Sequence, residues 1–217
     1  MTYKAVLFDL DGTLLDTLLD IANSTNKALD YLGFPQHKVE AYKYFIGEGR
    51  EILAIRALPE THRDRATVDK LIARMGEEYA IHWSDNTRPY DGVPELLDAL
   101  TEHGISMSIL SNKPHDFTEL MASRLLSLWR FQIVAGALPD VPKKPSPTAA
   151  LDIAKRLSLK PGEFLYVGDS DVDMKTAVSA GMYPVGATWG FRTSKELLKG
   201  GAKVLIDKPT DLLRLLL

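Results

Sequence analysis

The stretch Lys4-Ala5-Val6-Leu7-Phe8-Asp9-Leu10-Asp11-Gly12-Thr13-Leu14-Leu15-Asp16 decides how the rest of the chain is read. An apolar run fit for a buried strand ends in two carboxylates two positions apart. If extended geometry persists that far, Asp9 and Asp11 project to one side and Leu10 points away. Gly12 then lets the backbone turn. Two acids held together repel unless a cation or a shared proton intervenes, so the arrangement asks for a metal. Aspartate is also a covalent nucleophile toward phosphoryl groups. The plainer alternative is an acidic turn that caps a helix from residue 14 onward.

From Asp16 to Trp83 there is almost no strand signal. Leu18, Ile21, Ala22, Ala28, Leu29 and Leu32 share one helical face, and Gly33 and Pro35 end that helix. Further helical stretches are expected at roughly 37–45, 48–58 and 61–83, punctuated by Gly47, Gly49 and Pro59. After Arg88-Pro89-Tyr90-Asp91-Gly92 the pattern changes. Helices at 94–103, 115–128, 146–157, 171–180, 194–199 and 210–217 alternate with strands at 105–110, 131–135, 164–167, 183–187 and 203–206. Such alternation predicts an α/β fold, a doubly wound parallel sheet covered on both faces. The helical block is then an insertion: residues 1–15 and 90–217 form the α/β domain and 16–89 an all-helical domain.

Composition excludes several classes. The chain has 217 residues, 45% hydrophobic and 25% charged, as expected of a soluble globular protein. A net charge of −3, from 26 basic and 29 acidic residues, gives no basis for binding nucleic acid or an anionic membrane. The absence of cysteine rules out disulfides and thiolate metal sites. His37, His62, His82, His103 and His115 show no metal-ligand spacing. No stretch has the ~18 apolar residues that a membrane span needs, and no signal-peptide pattern is seen, so a cytoplasmic location is expected. The apolar tail Asp211–Leu217 reads as a docking helix.

Ligands of open parallel sheets bind beyond the carboxyl ends of the strands. Three further clusters lie there. Ser111-Asn112-Lys113-Pro114 follows the strand at 105–110, where a hydroxyl and backbone N–H groups suit an anion or simply cap a helix. Lys143-Lys144-Pro145-Ser146-Pro147 offers two lysines, a pair that usually is solvated surface charge. Gly168-Asp169-Ser170-Asp171-Val172-Asp173 follows the strand at 164–167. Asp169 and Asp173 share one side of a starting helix there, a repulsive pairing that a divalent cation would relieve. Asp171 points elsewhere.

Taken in order, these four segments resemble the four motifs of the haloacid dehalogenase-like (HAD) hydrolases. D-x-D-G-T-L-x-D is matched at Asp9–Asp16, the Ser or Thr of the second motif at Ser111, the Lys before Pro-x-Pro at Lys144, and G-D-x-x-x-D at Gly168–Asp173. The resemblance implies a Rossmann-like core and a Mg²⁺-dependent phosphatase. Asp9 would be the nucleophile and Asp11 the general acid and base. The metal ligands would be Asp9, Asp11 through its carbonyl, and Asp169, with Asp173 as a supporting ligand or as a partner that orients the ligands. Ser111, Lys144 and the Asn112 backbone N–H would hold the phosphoryl oxygens. Dehalogenases of the same family generally lack the second acid, so Asp11 argues against that branch.

An all-helical insertion after the first motif resembles the C1-type cap of phosphoglycolate phosphatases and β-phosphoglucomutases, with hinges near Asp16–Thr17 and Pro89–Gly92. Within it, Ile46-Gly47-Glu48-Gly49-Arg50 is the candidate substrate-reading loop. Arg50 reads equally as a bidentate carboxylate ligand, which phosphoglycolate would require, and as a solvated helix residue. The segments Gly181-Met182 and Ala187-Thr188-Trp189-Gly190-Phe191-Arg192 also resemble the C-terminal portion of phosphoglycolate-phosphatase-like members, with Trp189 open between packing and function. The expected partner is a small phosphorylated metabolite, best phosphoglycolate, and the chain a monomer or homodimer. A phosphomutase, a phosphatase for pyrophosphate, sugar phosphate or nucleotide, and an inactive binding module stand as alternatives.

Overall fold

The computed structural model describes residues 3–216. Two compact units emerge, Met1–Leu15 with Pro89–Leu217, and Asp16–Arg88. Eight strands occur among the described residues: β1 (Ala5–Phe8), β2 (Leu15–Asp16), β3 (Arg88–Pro89), β4 (Ser106–Pro114), β5 (Phe131–Ala137), β6 (Phe164–Gly168), β7 (Tyr183–Ala187) and β8 (Val204–Ile206). The α-helices are α1 (Leu18–Tyr31), α2 (Tyr42–Phe45), α3 (Arg50–Ala57), α4 (Arg65–His82), α5 (Val93–Glu102), α6 (His115–Leu125), α7 (Thr148–Arg156), α8 (Asp171–Ala180) and α9 (Ser194–Gly200).

In the larger unit six strands form one parallel sheet in the order β5-β4-β1-β6-β7-β8. Counted along this sheet alone, that is the 3-2-1-4-5-6 doubly wound order. Parallel strands must be covered on both faces, and β1 reads accordingly. Ala5 and Leu7 enter a cluster with Ala150, Ile153, Phe164 and Ala177 from β6, α7 and α8. Val6 and Phe8, on the opposite face, are equally buried.

The strand order reverses direction between β1 and β6, where ligand sites of such sheets lie. Phe8 pairs with Ile109 of β4 and with Val167 of β6. This register brings the residues after β1, β4 and β6 to one edge of the sheet. Asp9 continues the ladder for one residue, its N–H donating to the Val167 carbonyl at 2.9 Å.

The smaller unit is built on α1 packed against α4. Asp20 in the first turn of α1 is buried and accepts four close hydrogen bonds. They come from the Asn86 and Thr87 backbone N–H groups, the Asn86 side chain and the Thr87 hydroxyl, at 2.7–2.9 Å. Burial alone would raise its pKa, but these donors outweigh it and the net shift is downward. Asp64 caps α4, accepting from the Thr67 N–H at 3.1 Å.

Three local expectations need correction. The strand expected at 105–110 runs on to Pro114, because β5 continues alongside it and Pro114 pairs with Ala137 after a register shift. Ser111, Asn112 and Lys113 therefore sit in the irregular end of a strand, not in a turn. The tail expected as a helix at 210–217 forms a 3-10 helix at Pro209–Leu215, burying Pro209 and Leu212. So short a segment closes with i to i+3 bonds instead of extending, and Leu217 lies outside the described residues. Finally, β2 and β3 pair as a two-stranded ribbon where no strand was expected.

Candidate active site

The turn after β1 is wound around one carbonyl. Leu10 C=O accepts from the N–H groups of Thr13, Leu14 and Leu15 at 3.3, 3.0 and 3.0 Å. Gly12 carries φ +83°, and a Cβ placed on it would lie 2.4 Å from Asp169 Oδ2. Only glycine permits both the left-handed backbone and that approach. The turn thus delivers Asp9 and Asp11 against the segment that follows β6.

Lys144 is the hub. Its side chain is 2% exposed, and its Nζ lies 2.8 Å from Asp9 Oδ1 and 2.7 Å from Asp173 Oδ1. Burial works against the ammonium, yet Asp173 and Asp9 outweigh it and hold its pKa well above the usual lysine value. Asn112 fixes the backbone at this position. Its Nδ2 donates to the Lys144 carbonyl at 3.0 Å, and the Lys144 N–H donates to its Oδ1 at 2.9 Å. The neighbouring Lys143 is exposed.

Asp173 is wholly buried. Besides Lys144, it accepts from the Ser170 N–H at 3.1 Å and the Ser170 hydroxyl at 2.5 Å, closing a capping box at the start of α8. Asp169 accepts from the Phe191 N–H at 2.7 Å and from the Thr13 hydroxyl at 3.1 Å. One carboxylate oxygen from each of Asp9, Asp169 and Asp173 lies within 4.8 Å of the others.

Ser111 is buried and its hydroxyl accepts from the Lys113 N–H at 3.2 Å. The sequence pattern assigns Lys113 no role. Its Nζ reaches both oxygens of Asp11 at 3.1 Å, and its side chain is only 6% exposed. A lysine directly after Ser-Asn at a strand end was the available signal. Seven of the expected residues, Asp9, Asp11, Ser111, Asn112, Lys144, Asp169 and Asp173, fall in the larger unit. Lys144 joins Asp9, Asp173 and Asn112, Lys113 joins Asp11 and Ser111, and Thr13 with the Phe191 N–H holds Asp169. Arg50 belongs to the smaller unit, exposed in the first turn of α3.

The electrostatics of this cluster fit a hard divalent cation. Burial raises the pKa of Asp9 well above the carboxylate range, reinforced by Asp173 and opposed by Lys144. Asp169 is pushed up to about 7, by burial first and then by Asp173. Lys144, with Arg192 acting on Asp169, still leaves the three buried acids short of positive charge. All free donors here are oxygens, which suit Mg²⁺ or Mn²⁺ rather than softer metals.

The family model for haloacid dehalogenase-like hydrolases matches residues 6–187. This chain is a haloacid dehalogenase-like hydrolase. Among relatives of this hydrolase, a phosphoglycolate phosphatase of Pseudomonas putida is 32% identical over 210 residues, covering 94% of this chain and 76% of the relative. One from Mannheimia succiniciproducens is 31% identical over 221 residues, covering 98% of each. A crystal structure from Lactobacillus delbrueckii subsp. bulgaricus superposes with a TM-score of 0.93 at 28% identity, covering 100% of this chain and 99% of the other. Among the described residues of this hydrolase, no helix is long and apolar enough to cross a membrane.

Proposed function

We propose that this hydrolase is a Mg²⁺-dependent phosphatase of a small phosphorylated carboxylate, with phosphoglycolate as the best candidate. The observation that carries the reading is the buried Lys144 ammonium joined to Asp9, beside an acid cluster that needs a cation. Asp9 attacks phosphorus in line and takes the phosphoryl group, releasing the alkoxide. Asp11 gives that alkoxide its proton and then takes one from the water that cleaves the acyl phosphate. Lys144, Ser111 and the Asn112 N–H hold the phosphoryl oxygens. Asp173 serves chiefly to anchor Lys144, since both of its oxygens are engaged. Mg²⁺, held by Asp9, the Asp11 carbonyl and Asp169, would supply the positive charge that lets two anions approach. The helical unit Asp16–Arg88 would act as the cap, and the enzyme would work in the cytoplasm as a monomer or homodimer.

Arg50 supports a carboxylate-bearing substrate. A cation in the first turn of a helix opposes the macrodipole and gains nothing in stability from that place. Paired with an anionic substrate, the same position is favourable. The test is phosphate release from 2-phosphoglycolate, pyrophosphate and hexose phosphates, with Mg²⁺ and with EDTA. The expected result is EDTA-sensitive turnover preferring phosphoglycolate, and an Arg50→Met variant whose KM for it rises at least about tenfold, the scale of one charge-assisted contact. An unchanged KM would remove Arg50 from the site. Metal-sensitive activity without substrate preference would remove phosphoglycolate and leave the phosphatase.

The acid cluster also sets a pH dependence. Asp169 and Asp9 have folded-state pKa values above their unfolded ones, so the native protein binds the extra protons. Without metal, stability then falls as pH rises from the unfolded value near 4 through about 7. Mg²⁺ competes with the Asp169 proton, so its apparent affinity should drop at least about tenfold per unit below pH 7. Melting curves with and without Mg²⁺ should diverge far more at pH 8 than at pH 5.5. A pH-independent Mg²⁺ shift would place the cation elsewhere.

A further inference from the structure

The loop after β7, Trp189-Gly190-Phe191, has no part in the chemistry above. Its geometry is nonetheless tied to the acid cluster at three points. The Phe191 N–H donates to Asp169 Oδ2 at 2.7 Å. The Trp189 indole Nε1–H donates to the Thr13 carbonyl at 3.0 Å. Gly190 is pressed between Asp169 and the Gly12 carbonyl, since a Cβ on it would lie 2.2 Å from Asp169 Cβ and 2.4 Å from the Gly12 oxygen. Thr13 completes a ring by donating its hydroxyl to Asp169 Oδ1 at 3.1 Å.

We propose that Trp189, Gly190 and Phe191, with Thr13, form a positioning clamp that presents Asp169 to the divalent cation; this rests on the metal-dependent reading above. Each Asp169 oxygen receives one protein donor on its own side. Donors on both oxygens block rotation of the group, and a carboxylate's further acceptor positions can face a cation. The same loop holds the Thr13 carbonyl, so it also fixes the turn that carries Asp9 and Asp11. Trp189 as mere packing would require neither its N–H on Thr13 nor a side-chain-free residue against Asp169. Partners that orient a metal ligand typically set affinity by about 10–100-fold.

The test is direct titration of the metal-free protein with Mn²⁺, followed by electron paramagnetic resonance, and with Mg²⁺ by calorimetry. Wild type is compared with Thr13→Val, Thr13→Ser, Trp189→Phe and Gly190→Ala, and each variant is melted in EDTA. The clamp predicts that Thr13→Val and Gly190→Ala weaken cation binding about tenfold or more. Trp189→Phe, which keeps the ring but loses the donor, should shift the affinity in the same direction. Thr13→Ser, which keeps the hydroxyl, should bind like wild type. If Gly190→Ala fails to fold, the Thr13 pair and Trp189→Phe still decide. Variants that bind as tightly as wild type, or a Thr13→Ser as weak as Thr13→Val, overturn the clamp. A wild type that binds neither cation overturns the metal reading itself and the clamp with it.

Discussion

Asp9→Asn should lower turnover by about 10⁴-fold or more, the scale seen when a nucleophile is removed, while leaving the fold intact. The substitution preserves shape and an acceptor oxygen. The Leu10 N–H, 2.7 Å from Asp9 Oδ1, and the Lys144 ammonium at 2.8 Å both keep a partner. What disappears is a charge that burial, Asp173 and Asp169 all disfavour. For an acid whose folded pKa is raised, ionisation costs stability as pH climbs above the unfolded value. Removing that ionisation should therefore flatten the fall of metal-free stability between pH 5 and pH 8. In EDTA at pH 8 the variant should melt no lower than wild type. The readouts are steady-state phosphate release and thermal melts on one preparation. Substantial phosphatase activity in Asp9→Asn would remove the aspartyl-phosphate route altogether.

That contrast, inactive yet stable, separates what local sequence can show from what it cannot. Asp9, Asp11, Gly12, Gly168, Asp169 and Asp173 are legible because their arrangement is local. A strand ends, a glycine turns, or a capping box forms within three residues. Lys144 is legible through its Pro-x-Pro context. The groups that hold these residues in place are not, because they come from distant positions. Thr13 and Asp169 are 156 residues apart, and Asn112 and Lys144 are 32 apart. Such pairs follow from which strands neighbour one another and in what register, and no periodicity encodes that. Lys113 was hidden for a related reason. A strand ending at Leu110, as the pattern predicts, gives its side chain no defined direction. The register shift that carries β4 to Pro114 is what delivers it to Asp11. At the C-terminus, seven residues are too few for a hydrophobic pattern to separate a repeat of 3.0 from one of 3.6.

Lys144→Met should fail in both respects at once, losing activity and stability. Methionine fills similar volume but leaves Asp9 and Asp173 buried, mutually repelling and without their cation. Breaking a buried ion pair from one side typically costs about 3–5 kcal/mol, which for a chain of this size lowers the melting temperature by roughly 10 °C. The lysine's raised pKa means that its contribution is fully present at neutral pH and is lost only when pH climbs past the ordinary lysine range. The stranded Asp9 behaves in the opposite way, since its pKa is raised and protonation relieves it. The deficit of Lys144→Met should therefore be large at pH 8 and shrink toward pH 5. Combining it with Asp9→Asn removes one of the two stranded charges. The double variant should then melt above Lys144→Met alone, with a coupling of about 0.5–3 kcal/mol. Strict additivity in that cycle would mean that Lys144 stabilises the fold through Asp173 alone, and that its contact with Asp9 carries no energy of its own.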